Sequence, residues 1–263
     1  MHKFSLIIPV YCKEKIIRKD IEETIVVLDG AKINFELIVV VDGQQDKSFE
    51  EAQKVKDSRV QVVGYKTNHG KGYAVRYGFS HAAGDVIGFK DAGPDLQPGA
   101  LPLMLAQFAF QQADVVIGSK RHPDSKIYYP FNRIVISWVY QKLIKVLFGL
   151  DIRDTQVGLK LYRRKVLEDV LPRMLVREFA FDIEMLAVAY HLGYRKIYEA
   201  PVEINLFSST STIVWTNMIR VIANVLNDTL AVYYRLKLLH YYDEESKRKW
   251  VFDPELNFRI NIG

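Results

Sequence analysis

The chain has 263 residues, 49% of them hydrophobic and 25% charged, which is typical of one large globular domain or of one domain with an appendage. Its single cysteine, Cys12, excludes an intrachain disulfide and any metal site built from several cysteines. The net charge of +5 and the pI of about 9.0 favour anionic partners such as nucleotides or phospholipids.

The first half of the chain alternates predicted strands with predicted helices. Apolar, β-branched runs predict strands at 4–10, 36–41, 60–64, 85–90 and 114–119, and helical spacing predicts helices at 16–28, 71–83 and 101–112. This alternation indicates βαβ units and therefore an α/β fold with an open, mainly parallel sheet flanked by helices. Ligands bind such sheets beyond the carboxyl ends of the strands, so we expect the functional residues in the loops there.

The second half carries two long helices with narrow polar stripes, predicted at 133–150 and 212–239. Such helices either are buried in the core or lie in a membrane interface. Spacing alone favours burial in the core, whereas the wide apolar faces and basic stripes are also compatible with a membrane interface. The sequence contains no uninterrupted run of about 18 apolar residues, so no membrane span is predicted. The first residues show no secretory pattern. The charged tail at 241–249 predicts a solvated surface.

An acidic turn follows the fourth predicted strand. Asp91 and Asp95 stand there, within Lys90-Asp-Ala-Gly-Pro-Asp-Leu-Gln97. Hard divalent cations take oxygen ligands and often bridge to phosphates, so this position suits a metal–diphosphate site. Because Asp, Gly and Pro are also ordinary turn residues, a plain turn explains the stretch equally well on its own.

Two other loops carry residues suited to nucleotide binding. Two glycines flank Lys71 at a helix start, where backbone N–H groups and the helix dipole favour an anion. Asp42 follows a strand end, where an acid can accept hydrogen bonds from a base or a ribose. The alternative for the Lys71 loop is a glycine turn that only begins a helix, and the alternative for Asp42 is a simple Asp-Gly turn.

Acidic residues also mark the start of an apolar helix in the second half. Asp182 and Glu184 lie two residues apart there, after a polar loop that carries Gln156. The two acids are either catalytic or simply the acidic first turn that helices prefer.

Together these segments resemble the family 2 glycosyltransferases of the GT-A fold, and within them the dolichyl-phosphate glucose and mannose synthases. The resemblance runs from Ser5 to about Leu206. It rests on the order of short stretches, namely Ile-Ile-Pro-Val-Tyr11, Asp42-Gly, Asn68-His-Gly-Lys-Gly72, the acidic turn, Gly118-Ser-Lys-Arg121, Arg153-Asp-Thr-Gln-Val-Gly-Leu-Lys-Leu161 and Phe179-Ala-Phe-Asp-Ile-Glu184. The domains implied are a catalytic domain at 1–206, with a nucleotide-sugar half at 1–120 and an acceptor half at 121–206, and a C-terminal amphipathic helix and tail at 207–263.

The resemblance assigns a nucleotide-sugar set in the donor half. Within that set, Pro9 and Tyr11 match positions that frame the nucleotide, and Asp42 matches the acid that contacts the base. Where the family has an Asn-Glu pair after the tyrosine, only Glu14, shifted by one place, supplies the acid. The whole set is Pro9, Tyr11, Glu14, Asp42, Lys71 and Asp91.

The metal turn departs from the family pattern, which reads Asp-Ala-Asp, because Gly93 stands in the third place. Either the second acid is missing, or Gly93-Pro94 is an insertion and Asp95 restores the pattern. We prefer the insertion because it supplies the oxygen ligands expected there. It predicts that Asp91, Asp95 and Gln97 hold Mg²⁺ or Mn²⁺.

The acceptor half carries the remaining assignments that the resemblance implies. Arg121 and Arg133 match basic residues that hold the acceptor phosphate in the mannose synthases, and the catalytic set is Asp182, Glu184 and Gln156. A second departure is the loop at 207–212, Phe-Ser-Ser-Thr-Ser-Thr, which lacks the Lys or Arg that clamps the diphosphate in the family. Charge neutralisation of the leaving group then falls on the metal, Lys71 or another cation.

The implied activity is inverting transfer of a hexose from a nucleotide sugar, of the UDP-glucose or GDP-mannose type, to a polyprenyl or dolichyl phosphate. The resemblance implies peripheral attachment at the cytoplasmic face of a membrane. An acceptor phosphate is already anionic, so catalysis is mostly positioning and electrostatics.

Two alternatives to this activity stay open. A soluble sugar acceptor would need Asp182 or Glu184 as a base, and a non-catalytic nucleotide-binding homologue would need neither. The basic residues are scattered and no nucleic-acid-binding motif occurs, so no nucleic-acid partner is expected.

Overall fold

A seven-stranded, mainly parallel sheet forms the centre of the molecule. The computed structural model describes residues 3–93, 96–125, 131–176, 180–203, 215–243 and 250–261. The order across the sheet is β3-β2-β1-β4-β6-β5-β7, and β8 and β9 form a separate antiparallel hairpin. The strands are β1 (Phe4–Val10), β2 (Phe35–Asp42), β3 (Val60–Tyr65), β4 (Val86–Lys90), β5 (Val115–Ser119), β6 (Leu159–Arg163), β7 (Ile197–Pro201), β8 (Trp250–Asp253) and β9 (Phe258–Asn261).

Helices cover both faces of the sheet because successive side chains of a strand point to opposite faces. On β1, Ile7 enters a core shared with α3, α5, α7 and α8, whereas Leu6 and Ile8 enter a core shared with α1 and α4. The helices are α1 (Ile17–Gly30), α2 (Ser48–Gln53), α3 (Lys71–His81), α4 (Leu101–Phe110), α5 (Phe131–Phe148), α6 (Arg164–Val170), α7 (Phe181–His191) and α8 (Trp215–Lys237). The predicted α/β class is confirmed.

One strand runs against the others, and this brings the second half of the chain to the site. β6 pairs antiparallel with both β4 and β5, whereas the other pairs of the sheet are parallel. The loop before β6 therefore lies at the edge where β1, β2, β4 and β5 end. Residues from both halves of the chain consequently meet at one edge of the sheet.

α5 and α8 pack side by side and are partly core and partly surface. The hydroxyls of Tyr140 and Thr229 lie 2.9 Å apart, and Ile144 and Val232 are fully buried. Large apolar side chains on both helices are nevertheless exposed, namely Trp138, Val139, Val146, Leu230 and Tyr234. Within the described part of the chain, every helix is too short or too polar to cross a membrane.

The C-terminal tail is more embedded than its charge predicts. Tyr242, the second residue of the run predicted to be solvated, is completely buried in the core, which corrects that prediction for this residue. The β8–β9 hairpin packs on α3, where Phe258 contacts Phe79 edge to face and the Tyr73 hydroxyl donates to Glu255 at 2.5 Å. The domain boundary predicted at residue 206 lies outside the described residues and stays a prediction.

Candidate active site

Asp42 organises the glycine loop that precedes α3. It is buried at the end of β2, where its two carboxylate oxygens accept the backbone N–H groups of His69 and Gly70 at 2.7 and 3.0 Å. Gly70 has a positive φ of 89°, which glycine adopts without the steric cost that other residues incur. The Asp42 carboxylate thus holds the loop that leads to Lys71. These contacts occupy one acceptor position on each oxygen that was predicted to contact a base.

The loops after β1 and β2 are joined by hydrogen bonds. The hydroxyl of Tyr11 donates to the side chain of Gln45 at 3.3 Å, and the backbone N–H of Glu14 donates to Asp46 at 3.1 Å. The Glu14 carboxylate in turn accepts the backbone N–H of Lys47 at 3.2 Å. Tyr11 and Glu14 therefore lie together where the loop after β1 contacts the loop after β2. Pro9 instead lies within β1, opposite Val40 in the sheet register.

Asp91, the first residue after β4, rests against the chain just before β6. Its backbone N–H donates to the carbonyl of Gly158 at 2.8 Å. A Cβ atom at position 158 would stand 1.9 Å from Oδ2 of Asp91, so only glycine leaves room for this carboxylate. The Asp91 side chain remains 48% exposed. Asp95 lies outside the described residues, and Gln97 is half-buried just beyond them.

A chain of alternating charges runs inward from Asp91. Lys71 Nζ lies 2.8 Å from Asp91 Oδ1 and 3.3 Å from Asp182 Oδ2, and Lys160 Nζ lies 2.6 Å from Asp182 Oδ1. Lys160 is completely buried and also donates to the carbonyl of Val157. We call these four groups the charge chain; its members are two aspartates and two lysines, namely Asp91, Lys71, Asp182 and Lys160.

The pKa shifts of Asp182 and Lys71 favour their charged forms, whereas burial lowers the pKa of Lys160. Burial acts against the charge on Asp182, but Lys160 and Lys71 outweigh it and hold the pKa of Asp182 below its ordinary value. Burial likewise opposes the charge on Lys71, and Asp182 and Asp91 hold the pKa of Lys71 above its ordinary value. Asp182 is thus a fixed anion beneath the site, which makes it a poor proton acceptor.

Asp154 is a carboxylate that the sequence reasoning did not assign, although it stands in the Arg153-Asp-Thr-Gln stretch. It accepts the backbone N–H groups of Lys120 and Gln156 at 3.3 and 3.2 Å. Burial raises the pKa of Asp154, against the opposing effect of nearby Lys120. It joins the loop before β6 to the end of β5, whereas the side chain of Gln156 itself is exposed.

Arg121 follows β5 at the same edge of the sheet. Its guanidinium donates to the side chain of Gln141 at 2.7 Å and to the carbonyl of Arg153 at 3.2 Å. These contacts tie the loop after β5 to α5 and to the loop before β6. Arg133 belongs to the first turns of α5, and its side chain lies outside the described residues.

Glu184 is buried on α7 and is occupied by structural contacts. It accepts the backbone N–H groups of Leu175 and Val176 and the Tyr242 hydroxyl, the last at 2.6 Å, and Arg235 lies 3.4 Å away. Burial raises the pKa of Glu184, which these donors oppose. The carboxylate anchors the tail and α8 to α7, so we leave Glu184 out of the catalytic set.

Changing Tyr242 to Phe is expected to lower the free energy of unfolding by about 1.5–3 kcal/mol, because a buried carboxylate loses a donor. Urea denaturation measures this loss. Specific activity per folded molecule should stay at the wild-type level, since Glu184 does not reach the charge chain. Tyr234→Phe is the control, because that side chain is exposed on α8. A large drop in activity of the folded Tyr242→Phe protein would return Glu184 to the catalytic set.

The structure therefore brings Asp91, Lys71 and Asp182 into contact, with the Tyr11, Asp42 and Arg121 loops at the same edge of the sheet. It separates Glu184 from them.

A family model described as "Glycosyl transferase family 2" matches residues 5–171, which span every strand from β1 to β6. The chain therefore belongs to glycosyl transferase family 2, as its motifs predicted.

Several similar curated proteins are named dolichyl-phosphate beta-glucosyltransferases. The dolichyl-phosphate beta-glucosyltransferases of Homo sapiens and Drosophila melanogaster are 29% and 31% identical over 203 and 208 residues, which are 71% and 72% of this chain. This chain spans only 63% of the length of each. A Trichomonas vaginalis protein of the same name is 28% identical over 249 residues, 89% of this chain and 74% of that protein.

Solved structures share the fold. Glucosyl-3-phosphoglycerate synthase from Mycobacterium tuberculosis, crystallised with Mn²⁺, UDP and phosphoglyceric acid, superposes with a TM-score of 0.66 at 17% identity, over 95% of this chain and 83% of that one. Mannosyl-3-phosphoglycerate synthase from Rubrobacter xylanophilus gives 0.65 at 17% identity, over 97% and 82%. These likenesses confirm the predicted GT-A fold.

Proposed function

We propose that the chain transfers a hexose, with inversion, from a nucleotide sugar to dolichyl phosphate or a related polyprenyl phosphate. The observation that carries the proposal is the contact of Asp91, Lys71 and Asp182 at the sheet edge, inside and just beyond the segment matched by the family model. The names of the similar proteins support glucose as the sugar and a dolichyl phosphate as the acceptor.

The residues present suit a divalent cation at the acidic turn. Asp91 offers a half-exposed carboxylate that rests against Gly158, and hard cations such as Mg²⁺ and Mn²⁺ take oxygen ligands. Within the described residues no cluster of three acidic, histidine or cysteine side chains is arranged to bind a metal, and the second predicted acid, Asp95, lies outside that part. We propose Asp91, Asp95 and Gln97 as the ligands. A cation bound there would stabilise the leaving diphosphate as a Lewis acid.

The chain's own groups would divide the remaining work. Lys71 stands between Asp91 and Asp182 and would contribute positive charge beside the diphosphate, which matters because the sequence at 207–212 contains no Lys or Arg. Asp182 keeps Lys71 charged and in position. An anionic acceptor phosphate needs no strong base, so Asp154 and Gln156 would orient groups of the sugar or acceptor.

Arg121 and Arg133 would hold the acceptor phosphate through their forked N–H donors. Arg121→Ala is expected to raise the KM for dolichyl phosphate by about tenfold or more, because a charged hydrogen bond contributes roughly 1.5–3 kcal/mol. Donor affinity should change little. Steady-state kinetics with each substrate varied in turn measures both quantities, and Arg195→Ala is a control on a distant surface turn. Loss of donor affinity with an unchanged acceptor KM would contradict the assignment.

We also propose that α5 and α8 lie on the cytoplasmic surface of a membrane, where such an acceptor resides. Trp138 and Val146 are exposed on α5, and Lys142 lies over the Trp138 ring at 5.4 Å. Exposed apolar side chains flanked by lysines suit an anionic interface, at which each nearby Lys contributes about 1 kcal/mol.

Vesicle flotation is expected to recover the protein with anionic liposomes at low salt and to recover less at high salt. Changing Trp138 and Val146 to Asp should weaken binding by about tenfold or more, because each large apolar side chain contributes about 1.5–3 kcal/mol when buried. Phe110→Asp is the matched control, since Phe110 is 85% exposed but lies on α4. Equal flotation of all three proteins, or none of the wild type even with dolichyl phosphate present, would contradict the proposed surface.

Calorimetric titration tests the donor half of the proposal. UDP-glucose and GDP-mannose are each titrated with Mn²⁺ and with EDTA. We expect one of them to bind, and to bind more weakly in EDTA. Failure of every nucleotide sugar and free nucleotide to bind would remove the transferase proposal as a whole.

A further inference from the structure

A buried ion pair lies directly behind the acidic turn, and neither of its residues belongs to the predicted site. Lys90 is the last residue of β4 and Asp20 is in the first turn of α1. Lys90 Nζ lies 2.5 Å from Asp20 Oδ1, and the two residues are 0% and 5% exposed. Fully buried lysines are rare unless they are paired.

Both members of the pair also bind the backbone of the turn. The second oxygen of Asp20, Oδ2, accepts the N–H of Gly93 at 3.2 Å. Lys90 Nζ donates to the backbone carbonyl of Asp91 at 3.3 Å. The pair therefore binds the backbone at both ends of residues 91–93, Lys90 at Asp91 and Asp20 at Gly93. On its outer side the Asp91 backbone is held by Gly158, so the turn is fixed from two directions.

Stability alone does not account for this arrangement. Removing two charges from water costs several kcal/mol per ion, and apolar residues of similar volume often stabilise a protein as well or better. What an apolar pair cannot do is accept the Gly93 N–H and donate to the Asp91 carbonyl. The contacts that only this pair supplies are the contacts to the turn.

We propose that Asp20 and Lys90 are positioning residues that fix the acidic turn in the geometry that binds the divalent cation. This inference rests on the proposed metal-assisted function of Asp91. In it, Lys90 acts through the Asp91 backbone, Asp20 acts through Gly93, and neither touches substrate.

Two double variants separate positioning from stability. Asp20→Leu with Lys90→Met removes both charges and both contacts to the turn. Asp20→Asn with Lys90→Met also removes the charges but leaves an amide oxygen that can accept the Gly93 N–H. Arg59→Met is the control, because Arg59 forms two surface ion pairs, with Asp29 and with Asp57, at the far end of α1.

Three measurements are made on each protein with UDP or GDP, whichever the wild type binds: Mn²⁺ affinity in the presence of that nucleotide by calorimetry, affinity for the nucleotide in EDTA, and thermal unfolding. We expect Mn²⁺ affinity to fall by about 10- to 100-fold in the Leu/Met variant, the loss typical when partners that orient metal ligands are removed. The Asn/Met variant should recover most of this loss. Nucleotide affinity in EDTA should match wild type in both variants.

Hydrogen exchange of the wild-type protein supplies a readout that needs no variant to fold. The Gly93 amide should exchange as slowly as the amides of β4, and in folded Leu/Met protein it should exchange at the rate of an open turn. Fast exchange at Gly93 in the wild type would overturn the inference. Wild-type Mn²⁺ affinity in the folded Leu/Met variant would overturn it equally. Absence of Mn²⁺ binding to the wild type itself would instead refute the proposed metal site, and the inference with it.

Discussion

Replacing Asp91 by Asn is expected to lower glycosyl transfer by about 10²–10³-fold. The Asp91 carboxylate is one of the proposed ligands of the cation, and a Lewis acid at the leaving diphosphate contributes several kcal/mol, with about 1.4 kcal/mol per tenfold in rate. The substitution also removes one of the two carboxylates that hold Lys71. Turnover with saturating donor and Mn²⁺ measures the loss.

The control for this experiment is Asp29→Asn, which changes an exposed carboxylate paired with Arg59 near the C-terminal end of α1. Its activity should equal that of the wild type. Circular dichroism and thermal unfolding check that Asp91→Asn remains folded, which its exposure favours. An Asp91→Asn protein that retains more than half of the wild-type turnover in Mn²⁺ would contradict the proposed role of this turn.

Replacing Asp182 by Asn is expected to lower the free energy of unfolding by about 3–5 kcal/mol, because it leaves the Lys160 ammonium buried without its counter-ion. Urea denaturation measures this loss. Activity should fall as well, since Lys71 then keeps only Asp91 as a partner. The loss of stability comes from the unpaired charge on Lys160, whereas the loss of activity comes from the changed surroundings of Lys71.

A double variant separates these two effects. Changing Asp182 to Leu and Lys160 to Met removes both buried charges and should recover most of the stability, because apolar pairs replace buried ion pairs at little cost. Its activity should stay low, since Lys71 has still lost its inner carboxylate. Wild-type turnover in this double variant would show that Asp182 serves only to neutralise Lys160.

Local patterns predicted the strands of the first half well, β1 to β5, because these patterns depend on neighbouring residues. The prediction of β1 at 4–10 has the observed bounds, and α3 begins at Lys71 as predicted. Strand direction is a property of distant pairing, and so the antiparallel course of β6 was not available from spacing. That reversal is the reason why Gly158 lies against Asp91 and why Asp154 lies beside the end of β5.

The charge chain was only partly predictable for the same reason. Lys71 and Asp182 are 111 positions apart, and each was selected as an isolated polar residue at a helix start. Lys90 and Lys160 were passed over because a lysine in a strand pattern gives no sign of the carboxylate that buries it. Tyr242 was missed because the average charge of the tail concealed one buried side chain.

The most direct test of the proposed function is transfer to lipid. Purified protein is incubated with labelled UDP-glucose, Mn²⁺ and vesicles containing dolichyl phosphate, and parallel reactions contain GDP-mannose or 3-phosphoglycerate. We expect a lipid-soluble, β-linked hexosyl phosphate that requires both dolichyl phosphate and the cation, and that Asp91→Asn does not form. Label that enters only the soluble acceptor, or no lipid product from any donor that the protein binds, would contradict it.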